Sequence, residues 1–219
     1  MCEITIKKNV HEHNQRRADE NRHRFHHAGL LTINILGSPG SGKTSLIEQT
    51  IQRLSSPLKM IVIEGDVETE RDADRIRALG VEAIQIQTHG ACHLDAAMVS
   101  DSLGRINLDK SELLIIENVG NLICPAAFDL GEDIRVVVGS TTEGDDKPIK
   151  YPEMYYNADA CVLNKTDLLP YINFNREIFE TGARRPNNKL QFFPLSCTTG
   201  EGFDQWISWL QEKLTHRSR

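Results

Sequence analysis

Apolar and polar positions along this 219-residue chain are laid out in blocks. Short, near-continuous apolar runs at 32–37, 60–65, 83–87, 113–117, 135–139, 160–164 and 191–195 are separated by stretches in which apolar residues recur at helical spacing. Such runs predict strands buried on both faces, which belong in a parallel sheet covered by helices. Between them, helices are expected over 43–54, 70–79, 94–103, 152–158, 174–181 and 202–214. The expected architecture is α/β, a mostly parallel seven-stranded sheet with helices on both faces. Before residue 30 the pattern changes. Residues 9–27 are charged, carry five of the eight histidines, and predict an amphipathic helix lying outside the sheet.

Composition narrows the picture slightly. The net charge is −6 and the pI about 5.8, so nothing points to nucleic acid as a partner. No apolar run approaches the roughly 20 residues of a membrane span, and the N-terminus is polar where a signal peptide is apolar; a cytoplasmic protein without a membrane partner is expected. Five cysteines with no framework spacing fit reduced thiols or metal ligands better than disulfides.

The first chemistry appears directly after the run Leu31–Leu36. Gly37-Ser38-Pro39-Gly40-Ser41-Gly42-Lys43-Thr44 spells G-x-x-x-x-G-K-[ST] between an expected strand and an expected helix. Its backbone N–H groups can converge on phosphates, Lys43 can reach the β and γ oxygens, and Thr44 can ligate Mg²⁺, with Ser45 in the first turn of the helix. A helix beginning near Lys43 adds its positive end. This is the context of a P-loop NTPase, and it assigns 30–219 to that domain and 1–29 to a charged, His-containing helical extension.

A second motif names the base. The run 160–163 leads into Asn164-Lys165-Thr166-Asp167, the N-K-x-D arrangement of guanine-binding proteins. A carboxylate at Asp167 can accept from both N1–H and the 2-amino group of guanine, and adenine offers neither donor there. Lys165 can lie over the base, and Asn164 can tie the motif back to the phosphate loop. Ser196 and Cys197, in Ser196-Cys197-Thr198-Thr199-Gly200, sit where such proteins back the base.

Further acidic groups end two other runs, where α/β sheets place their ligands. Glu117, in Glu117-Asn118-Val119-Gly120, takes the acidic position that contacts Mg²⁺, and Gly120 leaves room for a γ-phosphate. Asp66, in Glu64-Gly65-Asp66, is a second candidate for the metal or for positioning water, or else a helix cap; Asp72 and Asp74 follow. Lys43, Asp66 and Glu117 are thus the candidate catalytic residues. No glutamine follows Gly120 to orient water, so slow intrinsic hydrolysis, dependent on dimerisation or a partner, is expected.

Cys92-His93 and Cys124 separate the chain from generic GTPases. The bend His89-Gly90-Ala91 lets thiolate and imidazole converge, and Cys124 lies seven residues past Glu117. Such ligands suit Zn²⁺ or Ni²⁺ and leave a shell of four incomplete, which a second copy across a two-fold axis could complete. Spacing equally allows two ordinary buried cysteines and a helix-capping histidine.

Three strings, Thr88-His89-Gly90-Ala91-Cys92-His93-Leu94-Asp95-Ala96, Glu117-Asn118-Val119-Gly120-Asn121-Leu122-Ile123-Cys124-Pro125 and Thr142-Glu143-Gly144-Asp145-Asp146-Lys147-Pro148, strongly resemble the nickel-incorporation GTPases of [NiFe]-hydrogenase maturation. The resemblance runs from about Leu30 onward. It implies a GTP-dependent homodimer with an interface metal site from Cys92, His93 and Cys124. It also implies nickel delivery to the hydrogenase large subunit, together with a zinc-binding partner protein of the same maturation process. The related urease-maturation GTPases carry Cys-Pro-His in place of Cys92-His93. Family members with a multi-cysteine N-terminus bind nickel tightly there, whereas this chain has Cys2 alone. Others store metal on long histidine runs; His11, His13, His23, His26 and His27 are scattered, with His23 and His27 at i, i+4. They read as a solvated or partner-docking face. Two rival readings are a P-loop small-molecule kinase, which Asn164–Asp167 argue against, and a metal store, which the sparse histidines argue against. A GTPase chaperone for another metalloenzyme such as urease is a third.

Overall fold

A computed structural model describes residues 2–54, 58–66 and 71–217, with side chains from Val10 onward. The apolar runs form seven strands, β1 (Leu31–Gly37), β2 (Met60–Asp66), β3 (Glu82–Gln87), β4 (Leu113–Glu117), β5 (Ile134–Ser140), β6 (Ala160–Asn164) and β7 (Gln191–Pro194). They make one sheet in the order β3-β2-β4-β1-β5-β6-β7 with every pairing parallel. β1 lies between β4 and β5, where the strand order turns outward in both directions, so a crevice opens at its carboxyl end. Every residue of β1, β4, β5 and β6 is buried, which is why these strands read as unbroken apolar runs and not as alternation.

Helices cover both faces. One face packs α2 (Lys43–Arg53), α3 (Arg71–Arg77) and α8 (Phe203–His216) through Leu46, Ile47, Ile76, Trp206 and Leu210. The opposite face is split. α1 (Cys2–His27) and α4 (Ala96–Ser102) cover β2 and β4 through Phe25 and Val99. The short α5 (Lys147–Lys150) and α6 (Glu153–Tyr156), with α7 (Arg176–Arg184), lie beside β5 and β6, where Met154, Tyr155 and Phe179 pack.

The differences from expectation lie mainly at helix ends. The helix expected from Leu94 begins at Ala96, because Asp95 is extended and its side chain accepts from Met98 N–H at 2.8 Å. The helix expected from Phe174 begins at Arg176 behind the cap Asn175 and continues to Arg184. The helix expected over 70–79 is seen as Arg71–Arg77, and Glu70 lies outside the described residues. That expected over 152–158 is a single turn, and a further one-turn helix, α5, precedes it.

The N-terminal helix lies outside the sheet but against it. Its inward stripe is Asn14, Ala18, Asn21 and Phe25, at i, i+4, i+7 and i+11. Half of that stripe is polar, so its burial depends on specific partners. Asn14 accepts from Ala96 N–H at 2.9 Å and donates to the Asp129 carbonyl at 2.8 Å. Asn21 donates to the carbonyls of Ala96 and Leu130 at 2.8 and 3.1 Å.

Candidate functional site

β1 delivers Gly37 to the carboxyl edge of the sheet, and the chain curls from there into α2. Gly40 and Gly42 have φ of 77° and 96°, a region glycine enters without steric cost. At Gly42 a Cβ would also fall 2.2 Å from the Asn164 side-chain nitrogen, so a larger residue would drive the two loops apart. Gly42 is the N-cap of α2 and supplies no side-chain cap, which leaves the first-turn N–H groups available to an anion. Beside them opens a cavity of about 540 Å³ bordered by Pro39, Ser45, Glu64, Asp66, Glu117 and Lys165, among others. Gly120 borders the same cavity, and a Cβ there would come within 2.9 Å of the Pro39 nitrogen, so its smallness also serves close approach of the two loops.

Lys43, Thr44 and Glu117 converge at the cavity floor. Thr44 Oγ1 donates to Glu117 Oε1 at 3.1 Å, and Lys43 Nζ lies 3.8 Å from the same oxygen. Parallel register sets Glu117 beside Glu64 and Glu64 beside Gln85, a polar row on the face that carries α2. Glu117 Oε2, Glu64 Oε1 and both amide atoms of Gln85 are buried without a hydrogen-bond partner. Burial, then the neighbouring Glu117, hold the Glu64 carboxyl well above its ordinary range. Burial also raises Glu117, against the opposing pull of Lys43. Paired carboxyl groups with orphaned oxygens beside a threonine hydroxyl fit a hard divalent cation such as Mg²⁺.

Asp66, singled out from the sequence, sits half-buried at the cavity rim, and Glu64 lies two residues deeper on the same face. Glu64 belongs to no motif; its mark in the sequence is a charged residue closing the apolar run Met60-Ile61-Val62-Ile63. Asp72 pairs with Arg75 at 2.9 Å at the rim, and Asp74 pairs with Arg77 at 2.8 Å on the exposed side of α3.

The loops after β6 and β7 are cross-linked throughout. Asn164 donates to the Ser41 carbonyl at 3.0 Å, and its own oxygen accepts from Lys165 N–H and Cys197 N–H at 2.7 and 3.1 Å. Lys165, with φ 63°, donates from Nζ to the Gly40 carbonyl at 2.7 Å. Asp167 accepts from Ser196 Oγ at 2.6 Å, and that hydroxyl accepts from Thr198 and Thr199 N–H. Burial pushes the Cys197 thiol up to about 12, which makes it an inert part of the wall. Glu143, from the third resembling string, hydrogen-bonds Ser38 in the phosphate loop, a link that no spacing rule reveals. Lys147 lies 5.6 Å from the centre of the Tyr151 ring.

The structure also brings Cys92, His93 and Cys124 together, with one ligand atom from each within 4.8 Å of the others. The two sulfurs are 2.7 Å apart, and Cys92 Sγ is 3.7 Å from His93 Nδ1. All three are half-buried, and no other cluster of three such ligands occurs among the described residues. The bend that presents them is the expected one, with His89 and Gly90 at φ 48° and 100°. His93 is not the helix cap, since Asp95 takes that role. Its ring stacks on Phe128 at 3.9 Å, and burial lowers its pKa. The hydrogen-bonded Cys92 raises that of Cys124. Two sulfurs and an imidazole fit Ni²⁺ or Zn²⁺ and supply three of four ligands.

Residues 31–194 match the CobW/HypB/UreG nucleotide-binding domain. Hydrogenase maturation factor HypB of Escherichia coli K12 is 50% identical over 211 residues, covering 96% of this chain and 72% of that protein. The chain belongs to the HypB family. The crystal structure of HypB from Archaeoglobus fulgidus superposes with a TM-score of 0.87 at 41% identity, covering 93% of this chain and 99% of that one. HypB from Helicobacter pylori, solved in complex with nickel, has the same TM-score at 38% identity, covering 94% and 97%. The seven-stranded parallel sheet is therefore the P-loop nucleotide-binding fold of the HypB family, whose members are named as hydrogenase maturation factors. The matched segment holds the phosphate loop, Glu117, Asn164–Asp167 and the Cys92, His93 and Cys124 cluster, and stops short of Ser196 and Cys197.

Proposed function

We propose that this chain is a GTP-hydrolysing nickel carrier for [NiFe]-hydrogenase maturation, holding its metal at the interface of a GTP-dependent homodimer. The observation that carries this reading is a shared segment. Glu117 and Cys124 stand on one short connection, and Asn121 N–H within it donates to the Gly37 carbonyl at the start of the phosphate loop, at 3.1 Å. Whatever moves the phosphate loop acts on a metal ligand.

In this mechanism Asp167, oriented by Ser196, accepts from the guanine edge, Lys165 covers the base, and Asn164 fixes both to the phosphate loop. Lys43 and the α2 N-terminus neutralise the β- and γ-phosphates. Thr44 and Glu117, with Glu64 or Asp66, would hold Mg²⁺, which supplies charge neutralisation at the transferring phosphoryl group. Asp66 at the rim would orient the attacking water. GTP orders the 117–124 segment and draws two subunits together, and Ile123, 63% exposed beside Cys124, is the apolar surface such contact would cover. A second copy then completes the coordination of nickel by Cys92, His93 and Cys124. Hydrolysis loosens the segment and releases the ion toward the hydrogenase large subunit, with a zinc-binding maturation protein as working partner.

Nickel titration of the GDP-loaded protein and of the protein loaded with a non-hydrolysable GTP analogue, with oligomeric state followed in parallel and Cys92→Ala as control, tests the proposal. Tighter, Cys92-dependent binding in a GTP-state dimer is expected. Equal affinity in both states would remove the nucleotide-gated carrier. Preference for ATP would favour a small-molecule kinase, and several ions per chain independent of nucleotide would favour a store.

A further inference from the structure

We infer that Asn118 is a positioning residue that couples the nucleotide carboxylates to the metal ligands, by holding the backbone of the Cys92-His93 segment against the end of β4. This rests on the nucleotide-gated reading above and names the lever within it.

Asn118 is fully buried and follows Glu117 directly. Its side-chain oxygen accepts two backbone N–H groups, Leu94 at 3.0 Å and Val119 at 3.0 Å. Its side-chain nitrogen reaches Asn34 Oδ1 on β1 at 3.4 Å, and its backbone N–H donates to the Ile35 carbonyl at 2.9 Å. Leu94 is the residue after His93. One side chain therefore joins three segments: the strand that carries Glu117, the strand that becomes the phosphate loop, and the segment that presents two metal ligands.

Leu94 is gripped from the other side as well. A Cβ on Gly65, between Glu64 and Asp66, would fall 2.7 Å from the Leu94 side chain, so that side chain rests directly on the β2 end. The residue next to His93 is thus wedged between two strand ends, each bearing carboxylates of the nucleotide cavity. A shift of either end as those carboxylates take up a cation must move Leu94, and His93 and Cys92 with it. Packed interiors pass such shifts on because they deform little. Breaking the Leu94–Asn118 bond leaves both sites present and removes the fixed link between them.

Linkage sets the test. If GTP strengthens nickel binding by some factor, nickel strengthens binding of a GTP analogue by the same factor. Nickel affinity is measured with GDP and with the analogue, the ratio of analogue to GDP affinity with and without nickel, and the alkylation rate of Cys92, read by peptide mass, with each nucleotide and no metal. In the unaltered protein the two affinity factors are equal, in the range of about 5- to 150-fold usual for such coupling, and Cys92 alkylation depends on the nucleotide. In Asn118→Ala both factors fall together toward one, and the alkylation difference disappears. Asn118→Asp, which keeps the oxygen facing Leu94, retains more of the coupling than Ala. Gly65→Ala presses on Leu94 from β2 and reduces both factors if Asn118→Ala does not fold. A folded Asn118→Ala, or failing that a Gly65→Ala, with unchanged factors overturns the inference. An unaltered protein with no GTP dependence overturns the carrier reading itself.

Discussion

The two ends of the nucleotide cavity are built on opposite principles. At the end proposed to take the base, three side chains of the motif already have partners: Asn164 bridges to Ser41 and Cys197, Lys165 to Gly40, and Asp167 to Ser196. At the end proposed to take the γ-phosphate and Mg²⁺, Glu64 and Glu117 keep buried oxygens without partners, and the connection that follows Glu117 leads out of the cavity to Cys124, whose sulfur lies 2.7 Å from that of Cys92. The first end is organised before anything binds, which favours selectivity. The second is unsatisfied until cations arrive, which favours a response to them. A nucleotide-gated carrier needs both, one to choose the nucleotide and one to change with it.

The largest effect is expected at the junction of the ends. Lys43→Ala removes the cation proposed to face the β- and γ-phosphates, and steady-state GTP hydrolysis should fall on the order of 100- to 1,000-fold. An activity close to wild type would remove Lys43 from the site.

At the organised end, Asp167→Asn replaces a charged acceptor by an amide. Competition binding should show GTP weakened by about 1.5–3 kcal/mol, roughly 10- to 100-fold, with ATP nearly unaffected. Equal weakening of both nucleotides would mean that Asp167 acts through the fold and not through the base.

Nickel affinity should rise with pH, by about tenfold per pH unit for each proton released. The raised pKa of Cys124 keeps its thiol protonated at neutral pH, so the ion must displace that proton, whereas the lowered pKa of His93 leaves its imidazole already neutral. A flat profile between about pH 6.5 and 8.5, bounded by the ordinary His and Cys values, contradicts thiolate ligation.

Glu64→Gln addresses the unsatisfied end without ligands. Because the folded protein holds the Glu64 proton more tightly than the unfolded chain, wild-type stability is lost as pH rises through that raised value. The glutamine variant should therefore gain on wild type in thermal melts as pH increases, by about 0.5–3 kcal/mol, and the advantage should shrink at acid pH and when Mg²⁺ and nucleotide are added.

The smallest effect belongs outside both ends. Arg17→Ala breaks an exposed i, i+3 pair with Glu20 on α1 and should change stability by no more than about 1 kcal/mol, with nickel and nucleotide affinities unmoved.

The sheet was legible because its central strands are buried on both faces, and burial leaves a mark in each strand alone. The phosphate loop and the Asn164–Asp167 motif were legible for a related reason, since each chemistry is confined to neighbours in sequence. The bend at His89-Gly90 was legible because glycine advertises its backbone. What depended on register was not. Glu64 joins Glu117 only because β2 pairs with β4 in one alignment. Asn118 reaches Leu94, and Asn14 and Asn21 reach Ala96, across separations that no local pattern encodes. The polar half of the α1 stripe hid its docking face for the same reason: asparagines are buried there by particular distant carbonyls, not by hydrophobicity. Sequence by itself determined the strands, the loops and the inventory of chemical groups, since those follow from composition and short-range sterics. Tertiary structure decided which groups share one cavity and which side chain ties the segment after Cys92-His93 to it, because long-range pairing is set by the packed sheet as a whole.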